Sequence, residues 1–197
     1  GNTDTARNKI RAGAGIAAGM KPEDVHVPAY LPDTPEVRSD ILDYYEAVQR
    51  YDAVLGEALR LLDNAGRASN TVVVAGSDNG WQFPRGLANC YDSGTHVPLT
   101  VRWPGVVKPG RRVDDFMDLT DIAPTFLEIA GLKPLPEMTG HSFVGLLHGE
   151  AQANRDAMFM ERERHANVRR GDLGYPMRAI RTSQFLYIRN LHPERWA

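Results

Sequence analysis

The 197-residue sequence predicts an α/β fold in which helices cover a sheet. Three observations carry that expectation. Residues 71–75, TVVVA, are β-branched and apolar without alternation, the pattern of a strand covered on both faces as in a parallel sheet. Upstream, Ile41, Tyr44, Tyr45, Val48, Tyr51, Leu55, Leu59 and Leu62 recur at intervals of three and four, which lays one apolar stripe along a helix. Downstream, residues 97–103 form a second strand pattern and 118–130 a second helix pattern, so strand and helix alternate.

Taken in order, the chain begins with a polar stretch that ends in AGAGIAAG. Gly13, Gly15 and Gly19 follow no strand and lack the spacing of a dinucleotide fingerprint, so a surface segment is expected rather than a phosphate loop. Prolines 22, 28, 32 and 35 then enforce an extended connector, because each restricts the residue before it. Thr34 can cap a helix and Pro35 suits its first position; Gly66 stops the run, predicting one long helix or a kinked pair. Asp43, Glu46, Arg50, Asp52 and Arg60 are expected on its solvated face.

Pro104-Gly105 and Pro109-Gly110 mark turns after the second strand. Thr120 or Asp121 can cap the next helix, Pro124 fits its first turn, Gly131 ends it, and Phe126, Leu127 and Ile129 are expected toward the core. Beyond Gly149, residues 158–161, 177–182 and 185–189 are short strand candidates, the last two joined at Ser183-Gln184. The intervening RERHANVRRGDLGYP is too polar for a core element. The expected organisation is therefore an α/β core over residues 1–150 and a small antiparallel subdomain over 151–197.

A hydrophobic content of 42% and a charged content of 24% are those of a globular chain. A net charge of −2 supplies no whole-chain attraction to nucleic acid or an acidic membrane, and no apolar run reaches the length of a membrane span. Neither nucleic acid nor membrane is an expected partner. Cys90 is the single cysteine, so no disulfide within the chain is expected.

The chemistry is expected just after residues 71–75, because ligands in open α/β sheets bind outside the carboxyl ends of strands. There the chain places Ser77, Asp78, Asn79 and Gly80. Adjacent carboxylate and amide oxygens suit a hard cation such as Ca²⁺. Asp-Asn-Gly is equally ordinary turn chemistry, and these four residues alone leave both readings open.

The wider pattern settles on a family. SDNG, then YDSGTHVPLTVRWPG, DLTDIAPTFLEIAGL and GHSF resemble the second half of a type I sulfatase of the alkaline phosphatase superfamily. PDTPEVRSDILDYYEAVQRYD upstream and YPMRAIRTSQFLYIRN downstream are similar to the branch that includes the heparan N-sulfatases. The resemblance covers residues 24–196 and implies the C-terminal part of an alkaline-phosphatase-like α/β/α sandwich with a small antiparallel α+β subdomain. It implies that Asp78 and Asn79 ligate Ca²⁺, that the enzyme acts on a sulfated saccharide, and that it works in a periplasmic or secreted setting. Asn79 in place of a histidine separates the calcium sulfatases from the two-zinc members of the superfamily.

Two departures stand beside these matches. Nine residues after the aspartate the family carries a Lys or Arg that contacts sulfate; this chain has Leu87, which cannot donate to an anion, and Arg85 is the candidate to substitute. The family's formylglycine nucleophile arises within a Cys/Ser-x-Pro-x-Arg motif, and none of the 13 prolines has Cys or Ser two residues before it. The chain is thus expected to be a C-terminal portion, inactive alone, with the remaining N-terminal half of the same fold as its partner. His165, with Arg162, Arg164 and Arg178 nearby in sequence, is a candidate substrate contact, an exposed loop histidine being the alternative; His96 is expected to be structural. Trp81 and Phe83 are either a sugar-stacking wall or core filler. A non-catalytic sulfate- or sugar-binding protein of the same family is the competing function, and Leu87 favours it.

Overall fold

The computed structural model describes residues 10–152, 155–167 and 169–196. They group into two compact units, one ending at Ala68 and the other beginning at Ser69.

In the first unit, a single turn of helix, α1 (Ala14–Ala17), packs on the 30-residue helix α2 (Pro35–Asn64). The Thr34 hydroxyl accepts from the Val37 amide at 3.4 Å, Pro35 occupies the first turn, and Gly66 leaves the helix at φ 63°. One unbroken helix forms where a kinked pair was the other expectation. Glu57–Arg60 forms an exposed ion pair along α2, and Glu46–Arg50 pairs in a half-buried position. Asp43 departs from the solvated-face expectation: it is 2% exposed and accepts the amides of Gly13 at 2.7 Å and Gly15 at 2.9 Å. The glycine segment is therefore pinned to α2, and Gly15 lies so close to Leu42 that a Cβ there would sit 2.4 Å from the Leu42 carbonyl. Of the apolar residues of α2, Ile41 of the stripe and its neighbour Leu42 are buried, while Val48 and Tyr51 of the stripe, and Val54 and Leu61 beside it, are exposed.

The second unit opens with β1 (Val73–Gly76), which pairs with β2 (Leu99–Arg102), Val73 opposite Arg102 and Gly76 opposite Leu99. The pairing is antiparallel, which corrects the parallel reading of residues 71–75. The physical reason is that an apolar run reports covering, not strand direction, and β1 is only half-buried along Val73–Ala75. Between the two strands lies a one-turn helix, α3 (Asp92–Thr95).

After β2, a 3₁₀ turn (Leu119–Asp121) leads into α4 (Ile122–Ile129). Asp118 caps the 3₁₀ turn, its carboxylate accepting the Thr120 amide while the Asp121 carboxylate accepts the Asp118 amide, both at 2.8 Å; Asp121 stands at the N-cap position of α4 as expected, but its side chain makes no capping bond to α4. Pro124 and Thr125 are buried, while Phe126 is exposed, one position off the expected face. The short helix α5 (Val144–His148) buries Phe143, Leu146 and Leu147 against Leu99, Val101, Trp103 and Ile122.

The last element is a three-stranded antiparallel sheet, β3 (Ala157–Arg162), β4 (Met177–Thr182) and β5 (Leu186–Asn190), in that order. The turn from β4 to β5 lacks glycine, and the Thr182 hydroxyl does its work by accepting the Phe185 amide at 3.0 Å. One face carries Met160, Ala179 and Ile188 in a cross-strand row and packs with Cys90, Tyr175 and Met177. The opposite row, Phe159, Ile180 and Tyr187, leaves Phe159 76% and Tyr187 63% exposed. No helix among the described residues is long and apolar enough to cross a membrane.

Candidate metal and anion site

Residues 77–98 leave the carboxyl end of β1 and return at the start of β2, and internal hydrogen bonds hold them in one compact loop. Ser77 donates its amide to the Pro98 carbonyl at 3.2 Å and its hydroxyl to the Asn79 carbonyl at 2.7 Å. Asn79 donates its side-chain amide to the Gly80 carbonyl at 2.8 Å, which leaves its side-chain oxygen facing away from that bond and able to serve as a ligand. Gly80 in turn donates to the Gly94 carbonyl at 3.2 Å. Only glycine fits here: a Cβ on Gly80 would lie 2.0 Å from the Ser93 carbonyl oxygen, and one on Gly94 would lie 2.4 Å from the carbonyl oxygens of Gly86 and Asn89. The SDNG motif is therefore built as a rigid bend that presents Asp78, which is exposed, next to half-buried Asn79.

The donor set matches Ca²⁺ in kind, since both side chains offer hard oxygens. In number it supplies part of a shell: Ca²⁺ takes about 6–8 oxygens, and among the described residues no group of three or more His, Cys, Asp or Glu converges. Asp78 and Asn79 would hold one side of such an ion.

Farther along the loop, Arg85 and Ala88 adopt left-handed backbone at φ 63° and 59°. Non-glycine residues resist that conformation, so the surroundings must hold it. Ser93 donates its hydroxyl to the Arg85 carbonyl at 2.8 Å, the Leu87 amide donates to the Trp81 carbonyl at 2.8 Å, and the Asn89 amide to Gly86 at 3.0 Å. The Arg85 guanidinium lies over the Tyr91 ring, 5.2 Å from its centre. Leu87 is half-buried, and the Trp81 and Phe83 rings pack on each other with centroids 4.6 Å apart. His96 is exposed at the entry to β2, its amide bonded to the Asp92 carbonyl at 2.8 Å.

His165 is exposed in the segment between β3 and β4. The arginines around it are committed elsewhere. Arg162 donates to the Ala88 carbonyl at 2.5 Å, Arg164 donates to the Asp172 carbonyl at 3.1 Å, and Arg178 pairs with Glu161 and Glu163. Arg181, which no motif singled out, donates to Asp92 at 2.9 Å. Partners 74 and 89 residues apart leave no local spacing signal.

A second polar centre underlies the DLTDIAPT and GHSF segments. Asp121, 1% exposed, pairs with Arg155 and accepts the His141 amide at 2.8 Å, and Thr125 accepts the Phe143 amide at 3.0 Å. Burial pushes the Asp121 carboxyl up, but the Arg155 guanidinium and the Asp118 and His141 amides outweigh it and hold the group below its ordinary value. The DLTDIAPT and GHSF segments thus tie one another together through buried hydrogen bonds and an ion pair.

Comparison with known proteins gives this architecture its family. The sulfatase family model matches residues 5–132, and the model described as N-sulphoglucosamine sulphohydrolase, C-terminal, matches residues 80–197. The chain is 34% identical over 182 residues to N-sulphoglucosamine sulphohydrolase of Homo sapiens, covering 87% of this chain and 35% of that protein. It is 32% identical over 171 residues to an ulvan-active sulfatase of Formosa agariphila, covering 86% and 27%. Among solved structures, a phosphonate monoester hydrolase from Silicibacter pomeroyi superposes with a TM-score of 0.68 at 21% identity, covering 90% of this chain and 38% of that one. A putative sulfatase from Bacteroides thetaiotaomicron gives 0.70 at 22% identity, covering 80% and 35%. These likenesses show the alkaline-phosphatase-like α/β fold, and the chain spans about a third of the length of the curated relatives it matches. Two family models that overlap at the SDNG loop and together run from residue 5 to residue 197 leave one assignment: the chain belongs to the type I sulfatase family, among its heparan N-sulfatase-like members.

Proposed function

We propose that this chain is the C-terminal portion of a Ca²⁺-dependent sulfatase that removes sulfate from a sulfated saccharide. The observation that carries the reading is the SDNG bend at the carboxyl end of β1, with Asp78 exposed beside Asn79 in a chain of this family. Asp78 and Asn79 would hold the ion from one side, and a bound Ca²⁺ would supply positive charge against the sulfate oxygens. Arg85 and His165 are the substrate-side residues, Arg85 through a guanidinium fork suited to two hydrogen bonds with an oxyanion. The formylglycine motif, the other metal ligands and the partner half of the fold belong to sequence outside this chain. The likeness to N-sulphoglucosamine sulphohydrolase and to an ulvan-active sulfatase supports a sulfated sugar as substrate.

The test is to express the protein together with its upstream coding sequence and measure sulfate release from N- and O-sulfated glucosamine, with and without calcium chelation. Release that is lost on chelation, and that Asp78→Ala lowers by about two orders of magnitude or more, is the expected outcome. Calcium-dependent binding of the sugar without release would instead favour the non-catalytic reading to which Leu87 points.

A further inference from the structure

We infer that Arg162 and Arg181 are positioning residues, through which the inner face of the C-terminal sheet grips residues 88–92 at both ends and sets the conformation of the loop carrying Arg85 and Leu87. The substrate consequence rests on the reading of Arg85 given above; the grip itself does not.

Strand register places the two arginines at opposite ends of one sheet face. Arg162 stands opposite Met177, Arg181 stands opposite Met158, and the row Met160–Ala179–Ile188 lies between them. Cys90, 2% exposed, packs into the middle of that face among Tyr175, Met177 and Ala179. On one side of Cys90, the Arg162 Nη1 donates to the Ala88 carbonyl at 2.5 Å and reaches Asn89 Oδ1 at 3.4 Å. On the other, the Arg181 Nε donates to Asp92 Oδ1 at 2.9 Å. The five-residue segment is thus held at each end by a cation and at its centre by apolar packing.

The grip falls where the backbone needs it. Ala88 sits at φ 59°, a conformation that an alanine leaves for the right-handed region unless it is held. Release of Ala88 would reorient Leu87 and Arg85 immediately before it. Among the described residues the buried Nε of Arg162 makes no hydrogen bond, so its bonds to the loop run through Nη1. Its guanidinium, 5.9 Å from the centre of the Tyr175 ring, serves a carbonyl 74 residues away in the loop.

Amide hydrogen exchange on the complete protein tests the grip. The reporters are the amides of Gly86, Leu87 and Asn89, bonded to Phe83, Trp81 and Gly86. Arg162→Met should speed their exchange on the order of tenfold, with Arg162→Lys restoring part of the protection and the β1–β2 ladder unchanged. Should Arg162→Met not fold, Asp92→Asn, which weakens the opposite grip from a half-exposed carboxylate, should speed the Asn89 amide in the same way. Loop amides within twofold of the parent, or equal acceleration across the β1–β2 ladder, would overturn the proposal. In kinetics, Arg162→Met should raise KM for the sulfated sugar more than it lowers kcat; an unchanged KM with accelerated loop exchange would overturn the positioning of substrate. A parent without sulfatase activity would remove the functional reading instead, and the exchange result would still decide the grip.

Discussion

The hydroxyl of Thr125 accepts the amide of Phe143 at 3.0 Å while donating to the carbonyl of Asp121 at 2.6 Å, so one buried oxygen ties the start of α4 to the start of α5. Thr125→Val keeps the shape and leaves the Phe143 amide without its partner. It should cost about 1–3 kcal/mol in the urea unfolding free energy of the protein, with Thr125→Ser close to the parent. Equal stability of the valine variant would show that the bond contributes nothing.

Asp121 makes stability depend on acid. Its folded carboxyl is held below its ordinary value, with burial opposing and the Arg155 guanidinium and two amides prevailing. A depressed folded value means stability that is present above the unfolded carboxyl's ~3.9 and lost as pH falls through the folded value. Unfolding midpoints measured downward from pH 5 should therefore drop in the parent. In Asp121→Asn, destabilised by about 3–5 kcal/mol at neutral pH through the unpaired Arg155, the part of this drop due to Asp121 should vanish.

Burial raises the Cys90 thiol above its ordinary value; nearby Arg162 and Arg178 oppose this, while Glu161 adds to it. The thiol is therefore protonated and enclosed at neutral pH. It should react with a thiol-specific reagent at pH 8 only on unfolding, on the order of a hundredfold faster in denaturant than in buffer. Fast labelling of the folded protein would show that the sheet face and the loop separate readily.

By the sequence resemblance, Leu87 stands where a sulfate-contacting cation is expected. Leu87→Lys in the complete enzyme should raise turnover of a sulfated sugar on the order of tenfold, because a new donor would meet charge as it develops on the departing sulfate. An unchanged or lower kcat would show that Leu87 is not a lost clamp.

The elements most legible in the sequence are those whose signals are local. Thr34, Pro35 and Gly66 mark the ends of α2, and the strands 177–182 and 185–189 appear at β4 and β5, because capping, proline geometry and alternation act over a few residues. Asp43 was illegible for the opposite reason. Its position in the helix gives only an angle, and whether a carboxylate faces water or two glycine amides depends on a segment 28–30 residues away.

At the candidate site the same division holds. The identities of Asp78, Asn79, Arg85, Leu87 and His165, and the ordered motifs that place the chain in its family, are properties of the sequence itself, since residue type determines which ligands an atom can serve. The antiparallel pairing of β1, the left-handed turns at Arg85 and Ala88, and the grip of Arg162 and Arg181 were decided only by the tertiary structure. The strand pairing and the grip bring together groups 25 to 89 residues apart, and the turn at Arg85 is held through Ser93, eight residues on; in each, packing and the need to satisfy buried polar atoms override local preference.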